Sequence, residues 1–277
     1  MKQHLSTASG NMRSAQRPGF WCAKRTLRGV LGFTILSGLI GGCGDGTATS
    51  VVNESASAGA SNAAPAMPAV RGEGIIRGKI IFTGSKPKEI KIDNSQCTGH
   101  AKPIIDETIV VNDNGTLRNV FVYLEGAGEA PFAGGKDVLI DQVDCQYVPH
   151  VIGVQVGQTV RVRSSDDTLH NVHTLCEKNA SDNLPMTRAG AEKKLKFKSA
   201  EFIHAKCDVH PWMSAYIGVF DNPFFAISGG DGTFEINGIP DGQYTLVAWH
   251  EHYGQQKQEV TVAKAAPAES EFTFRSE

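Results

Sequence analysis

Cys207-Asp208-Val209-His210-Pro211-Trp212-Met213 carries three side chains that bind soft metal ions, with two residues between each and the next. A thiolate, an imidazole and a thioether can reach one ion from so short a segment only if the segment turns tightly. Pro211 suits such a turn because its ring fixes φ at about −65°. A fourth ligand must come from a neighbouring strand, and His170 in Leu169-His170-Asn171-Val172-His173 offers an imidazole.

These ligand types select among metals. One Cys, two His and a weakly bound Met form the set of a blue-copper site, which carries single electrons. Zinc, the nearest alternative, prefers several thiolates or harder ligands and rarely takes Met. A dinuclear copper site would need a second Cys in the loop, and neither Val209 nor Trp212 provides one. The residues therefore predict one mononuclear type 1 copper per chain.

The loop and the His170 segment resemble the cupredoxins, most closely the amicyanin and plastocyanin type. In that family a Cys-x-x-His-x-x-Met or slightly longer loop closes the site, and the first His of a His-Asn-Val-His-like strand is the distant ligand. The resemblance implies His170, Cys207 and His210 as equatorial copper ligands and Met213 as the axial ligand. It also implies that Asn171 ties the two ligand segments together.

A wider resemblance spans roughly residues 74–276. It points to secreted cupredoxin-like proteins of the methylamine-utilisation-like type, which often carry a carboxypeptidase-regulatory-like tail. The segments that carry it are Asp141-Gln142, Tyr147-Val148-Pro149-His150-Val151, Asn222-Pro223-Phe224-Phe225 and Trp249-His250-Glu251.

The remaining pattern predicts an all-β chain. Short apolar runs separated by turn residues indicate many strands, and no long amphipathic helix competes. We therefore expect a Greek-key cupredoxin-like β-sandwich over residues 74–224. After Pro223 the pattern restarts, and residues 231–246 resemble the prealbumin-like β unit of carboxypeptidase regulatory domains. Residues 225–277 are the predicted second unit, which is short for an independent core. The strand near residues 78–82 could belong to either unit.

Residues 1–42 have the features of an export signal. Three basic residues precede an apolar run over residues 30–40 that is too short for a typical spanning helix. Leu39-Ile40-Gly41-Gly42-Cys43 resembles a bacterial lipobox, in which cleavage leaves the Cys as an acylated N-terminus; a plain signal peptide is the alternative. Residues 43–73 are rich in small and polar residues, which predicts a flexible, disordered tether. We expect a lipid-anchored protein of the periplasm or cell envelope.

An exported chain meets an oxidising compartment, where thiols tend to pair. Two of the six cysteines, Cys22 and Cys43, lie in or beside the export segment, and Cys207 is assigned to metal. Polar, loop-like surroundings favour a bridge between Cys97 and Cys145, which leaves Cys176 as the odd thiol. The sequence does not fix this pairing.

Other histidines receive structural interpretations. His173 and His204 each lie three residues from a predicted ligand, and odd spacing on a strand points side chains to opposite faces. His150 is placed to approach the metal, although a structural role is favoured. His250, Glu251 and His252 form either a further metal site or, as favoured, a polar strand end.

The function predicted from these features is electron transport. The net charge of −2 gives no reason to expect a nucleic-acid partner, and no catalytic triad, phosphate loop or acid–base pair stands out. We expect an electron carrier and not an enzyme, with a cytochrome or a dehydrogenase as protein partner. Trp212 is the candidate docking residue for a weak, transient contact, unless it fills the end of the core. The alternative is a non-redox copper- or carbohydrate-binding β-module at the cell envelope.

Overall fold

The computed structural model describes residues 71–93, 97, 103–130 and 132–276. The predicted signal peptide, Cys43 and the predicted tether up to residue 70 lie outside these residues. In the described part of the chain, no helix has the length and apolar content needed to cross a membrane.

Every regular element that the structure describes is a strand, so the predicted all-β class is confirmed. In chain order the strands are β1 (Gly74–Thr83), β2 (Lys91–Ile92), β3 (Ile104–Ile105), β4 (Phe121–Glu125), β5 (Val138–Val143), β6 (Gln146–Val148), β7 (Val151–Gln155), β8 (Thr159–Ser164), β9 (His170–Leu175), β10 (Asn183–Met186), β11 (Glu192–Lys196), β12 (Glu201–Lys206), β13 (Ser214–Phe220), β14 (Phe225–Ile227), β15 (Thr233–Ile239), β16 (Gly242–His250), β17 (Gly254–Val262) and β18 (Ala268–Arg275).

Residues 138–220 form a β-sandwich, which we call the first sandwich. One sheet has the order β10-β9-β12-β13-β7 and the other β11-β8-β5-β6. Apolar side chains of both sheets meet in one core, as the alternation of β8 predicts: Val160 and Val162 are fully buried, and Arg161 and Arg163, which alternate with them, reach solvent. The chain crosses repeatedly between the sheets, and this brings β9 beside β12, with His173 opposite Lys206.

A second sandwich is built from both ends of the described chain. Its sheets have the orders β15-β1-β18 and β14-β4-β16-β17, and their inner faces share a second core. Strand pairing therefore crosses the predicted boundary at residue 225. The physical reason is apolar area: the C-terminal strands alone make too small a core, and Ile76 and Ile80 of β1 with Val122 and Leu124 of β4 complete it. The first sandwich is inserted between β4 and β14.

Aromatic rings fill the contact between the two sandwiches. Gly153 and Gly218 lie opposite each other on β7 and β13, and their missing side chains leave room for rings of the second sandwich. A Cβ on Gly218 would lie 2.8 Å from the ring of Phe121, and one on Gly153 would lie 2.6 Å from the ring of Phe225. Beside them the rings of Phe202 and Trp249 stack at 4.1 Å, which joins β12 to β16.

Candidate metal centre

Three of the four predicted ligands converge in the interior of the first sandwich. Ligand atoms of His170, Cys207 and His210 all lie within 4.8 Å of one another. The two Nδ1 atoms of the histidines are 2.9 Å apart, and the Sγ of Cys207 lies 4.0 Å from the Nδ1 of His210. These side chains are 0%, 2% and 3% exposed in that order, so all three potential ligands surround one position that is shielded from solvent.

The ligand loop, residues 207–213, is closed by its own backbone. It connects β12 to β13, and the N–H of Cys207 donates to the carbonyl of Met213 over 3.2 Å. Inside it, the N–H of Met213 donates to the carbonyl of His210 over 3.0 Å, and the N–H of His210 donates to the Sγ of Cys207 over 3.4 Å. Met213, the predicted axial ligand, is 1% exposed and belongs to the core of this sandwich.

Asn171 joins the two ligand segments, as the resemblance implies. Its Oδ1 accepts hydrogen bonds from the backbone N–H of Asp208, at 2.7 Å, and from the Sγ of Cys207, at 3.3 Å. Its Nδ2 donates to the side chains of Asn183 and Asp208. The strand that carries His170 is therefore held in register with the loop that carries Cys207.

Asp166 is a functional residue that the sequence reasoning missed. Its buried carboxylate lies 2.9 Å from the Nε2 of His170. A carboxylate accepts at that position, so Nε2 carries the proton and the bare Nδ1 faces the other donors. Asp166 precedes His170 by only four residues, which is visible in the sequence. This spacing indicates a contact between them only if the loop before β9 folds back, and the sequence does not show that.

The same carboxylate holds a turn of a different hairpin. Asp144 and Cys145 connect β5 to β6 with φ of 53° and 56°, the left-handed pair that a two-residue hairpin turn requires. Their backbone N–H groups donate to the two oxygens of Asp166, at 2.8 and 2.9 Å. The position of His170 is thus coupled through one side chain to the β5–β6 turn.

In the metal-free site, hydrogen bonds among the ligands shift the pKa values of Cys207 and His170 in opposite directions. Burial opposes both charges, but hydrogen bonding to His170 and to backbone N–H groups lowers the pKa of Cys207. Burial also opposes the His170 cation, yet hydrogen bonds to Cys207 and Asp166 raise the pKa of that ring. Burial, followed by the charge of His170, lowers the pKa of His210, which favours its neutral form. A thiolate and a neutral imidazole are the forms that bind metal.

A disulfide lies directly beside these ligands. Cys97 and Cys145 are bonded to each other, with Cα atoms 6.6 Å apart, and both sulfurs lie within 4.8 Å of a ring nitrogen of His210. The indole N–H of Trp212 donates to the carbonyl of Cys145 over 3.0 Å. Trp212 is half-buried, and this hydrogen bond packs its indole against the β5–β6 turn. Leu169 and Val209, each adjacent to a ligand histidine, are instead 50% and 41% exposed.

The other residues singled out from the sequence lie outside this centre. His173 is half-exposed and hydrogen-bonds Asp208, and His204 hydrogen-bonds the hydroxyl of Ser214. His150 pairs with Glu251 of the second sandwich, and Cys176 remains a half-buried free thiol. Among the described residues, the metal-capable groups with ligand atoms within 4.8 Å of one another contain neither His150 nor any of residues 250–252.

The donor set fits a soft metal ion. One sulfur with a lowered pKa, two imidazoles and a buried thioether are the ligand types of a type 1 copper site, and the backbone N–H of His210 hydrogen-bonds the sulfur. The chain therefore has a candidate copper-binding group at His170, Cys207 and His210, with Met213 in the same loop.

No family model matches the chain, and no curated protein matches it. Among solved structures it is similar to a Cu-containing nitrite reductase (NirK) from Thermus scotoductus SA-01, at 18% identity and a TM-score of 0.30, over 35% of this chain and 26% of that chain. It is similar to a mutant of amicyanin in the Cu(I) state, at 24% identity and a TM-score of 0.29, over 35% of this chain and 97% of that chain. It is also similar to a purple cupredoxin from Nitrosopumilus maritimus, at 21% identity and a TM-score of 0.27, over 30% of this chain and 99% of that chain. These three structures are of copper proteins or cupredoxins, and likenesses this distant carry no argument about the activity of this chain.

Proposed function

We propose that this protein is a type 1 copper protein that carries single electrons between redox partners outside the cytoplasm. The observation that carries the proposal is the burial of one thiol and two imidazoles around one point, delivered by segments far apart in the chain. Copper bound there would accept and release one electron at a time.

The protein's own residues support this role in three ways. The closed loop and Asn171 hold the donors in fixed positions, so little rearrangement would accompany a change of charge. Asp166 orients the ring of His170. The core of the first sandwich keeps water away from the sulfur, and Met213 is buried there with it. We propose an electron carrier and not an enzyme, because a donor set buried on all sides leaves little room for a substrate at the metal.

The docking surface proposed for a protein partner is centred on Leu169 and Val209. These exposed apolar residues each precede a ligand histidine, so a partner covering them would come within a few ångströms of the centre. We propose Trp212 as a support of this surface, since its indole braces the Cys145 turn behind His210. The lipobox-like segment before Cys43 supports an anchored location in the periplasm or cell envelope, and mass spectrometry of the mature N-terminus tests it.

The decisive experiment is spectroscopic. We expect the copper-loaded protein to show an intense thiolate-to-copper band in the visible and a type 1 electron paramagnetic resonance spectrum, bleached reversibly by a mild reductant. Cys207→Ser should abolish the band, because it removes the only thiolate of the set. The matched control Cys176→Ser should keep it, because that thiol lies outside the centre. A colourless copper protein would contradict electron transport and favour the non-redox copper-binding module.

A further inference from the structure

The Cys97–Cys145 disulfide sits against the metal ligands and not in a separate part of the core. Both sulfurs and a ring nitrogen of His210 lie within 4.8 Å of one another, and the three residues are 5%, 0% and 3% exposed in that order. The Sγ of Cys145 also lies within 4.8 Å of ligand atoms of Asp166 and His170. A disulfide with a purely structural role does not require an imidazole beside its sulfurs.

Three hydrogen bonds hold the turn that carries Cys145, in addition to the disulfide. Asp166 accepts from the backbone N–H groups of Asp144 and Cys145, and the indole of Trp212 donates to the carbonyl of Cys145. These three hydrogen bonds would remain after the S–S bond is cleaved. The Cys145 sulfur would then stay next to His210, preorganised for another use.

We propose that reduction of the Cys97–Cys145 disulfide opens an overlapping metal site, which shares His210 with the Cys207 centre and binds Cu(I) through the two sulfurs and that ring. A dithiol reductant supplies two electrons and two protons, so the S–S bond breaks and two thiols form while the reductant becomes a disulfide. Binding of Cu(I) then displaces both thiol protons. Two thiolates with one imidazole are soft donors, which select Cu(I) over harder cations. In the oxidised protein the sulfurs are bonded to each other and this site does not exist.

This proposal does not rest on the electron-carrier function, because it can be tested in a chain that has lost the Cys207 site. The full-length Cys207→Ser protein is treated with a phosphine reductant under native conditions, and released thiols are counted with a thiol reagent. Cu(I) retention per chain is then measured against a chromogenic Cu(I) chelator. We expect two additional thiols and one additional Cu(I) per chain relative to the untreated protein.

Matched variants assign the ligands. Cys97→Ser with Cys145→Ser on the Cys207→Ser background should show neither gain, and the contributions of Cys22, Cys43 and Cys176 cancel in the comparison. His210→Ala on the Cys207→Ser background should release the two thiols yet hold Cu(I) at least tenfold more weakly. Circular dichroism checks that each variant is folded. Thiol release without additional Cu(I), or a disulfide that opens only when the chain unfolds, would overturn the proposal.

Discussion

At the scale of single residues, the carboxylate of Asp166 is the least expected part of the centre. It accepts from the ring of His170 and from two backbone N–H groups of the β5–β6 turn. Three donors on one buried carboxylate restrain its position. This arrangement favours a role for Asp166 in positioning His170.

Replacing Asp166 tests that positioning role. Asp166→Asn keeps the size but leaves one acceptor oxygen, so either the turn or the tautomer of His170 loses support. We expect copper affinity to fall about 10- to 100-fold. Competition with a copper chelator measures this fall, and a shifted visible spectrum would separate altered ligand geometry from simple loss of stability. Asp167→Asn, at the exposed neighbouring position, should bind copper like the parent.

His250 is a fully buried ring held neutral by its surroundings. Its Nδ1 accepts from the backbone N–H of His252 at 3.1 Å, so Nε2 carries the proton and has no hydrogen-bond partner. The rings of Tyr253 and Phe274 pack around it, with centroids 5.1 and 6.2 Å away. Burial, with the charges of His252 and His150, lowers the pKa of His250 to about 3.

This depressed pKa predicts a loss of stability in acid. Between pH 6.5 and about 3 the unfolded chain binds a proton at His250 that the folded chain excludes, so stability falls as pH falls. The expected slope from this one proton is about 1.4 kcal/mol per pH unit. Urea unfolding at pH 7, 6, 5 and 4 measures it. His250→Leu should flatten the slope, whereas His252→Leu, at the exposed neighbour, should retain most of it because burial is the largest cause of the shift.

At the scale of elements, two paired glycines allow aromatic rings of the second sandwich to pack against strands β7 and β13 of the first. Gly153 and Gly218 face each other on β7 and β13, and aromatic rings occupy the space that side chains would take. The pairing matters because a Cβ at either position would meet a ring of the second sandwich well inside van der Waals distance.

Gly218→Ala should therefore destabilise the protein. The new Cβ would lie 2.8 Å from the ring of Phe121 and 2.9 Å from that of Phe220, and buried rings cannot move without disturbing their neighbours. We expect a loss of about 1–3 kcal/mol in the free energy of unfolding, measured by urea denaturation. Gly229→Ala is the matched control, because its Cβ would find its nearest atom at an ordinary 3.6 Å. Equal stability of the two variants would show that the sandwiches do not pack as described.

At the scale of the whole molecule, a buried ion pair bridges the sandwiches. The Nε2 of His150, before β7, hydrogen-bonds Glu251, after β16, and the two side chains are 6% and 9% exposed. Burial opposes a charge on His150, but the hydrogen bond and the charge of Glu251 outweigh it and raise the pKa of His150. The backbone carbonyl of His150 accepts from the N–H of Tyr216, so the pair is tied to the strand that leaves the ligand loop.

This pair predicts a loss of stability towards alkaline pH. A folded pKa above the unfolded value of 6.5 means that the stabilisation is complete below pH 6.5 and is lost as pH rises through the folded pKa. Glu251→Gln removes the negative charge, so we expect it to cost about 1–3 kcal/mol at pH 6 and progressively less at higher pH. Thermal unfolding across pH 5–9 measures this, with the exposed Glu271→Gln as control. A cost that does not change with pH would exclude a charged pair.

The sequence by itself determined what is local. Alternating apolar residues and turn residues fix the β class, and the seven residues from Cys207 to Met213 supply their soft donors whatever the surrounding fold, because ligand chemistry belongs to each side chain. Asn171 was also recognisable, since it adjoins His170 and the resemblance gave it a role.

Only the tertiary structure determined the contacts between residues that are far apart in the sequence, because these form when distant strands pack their apolar faces together. It allotted β1 and β4 to the second sandwich, because the C-terminal strands lack the apolar area to close a core alone. It brought Asp166 to both His170 and the β5–β6 turn, placed the Cys97–Cys145 disulfide beside His210, and paired His150 with a glutamate 101 residues away. Local pattern cannot specify such pairs, because the free energy that selects them comes from surfaces that exist only after the sheets have packed.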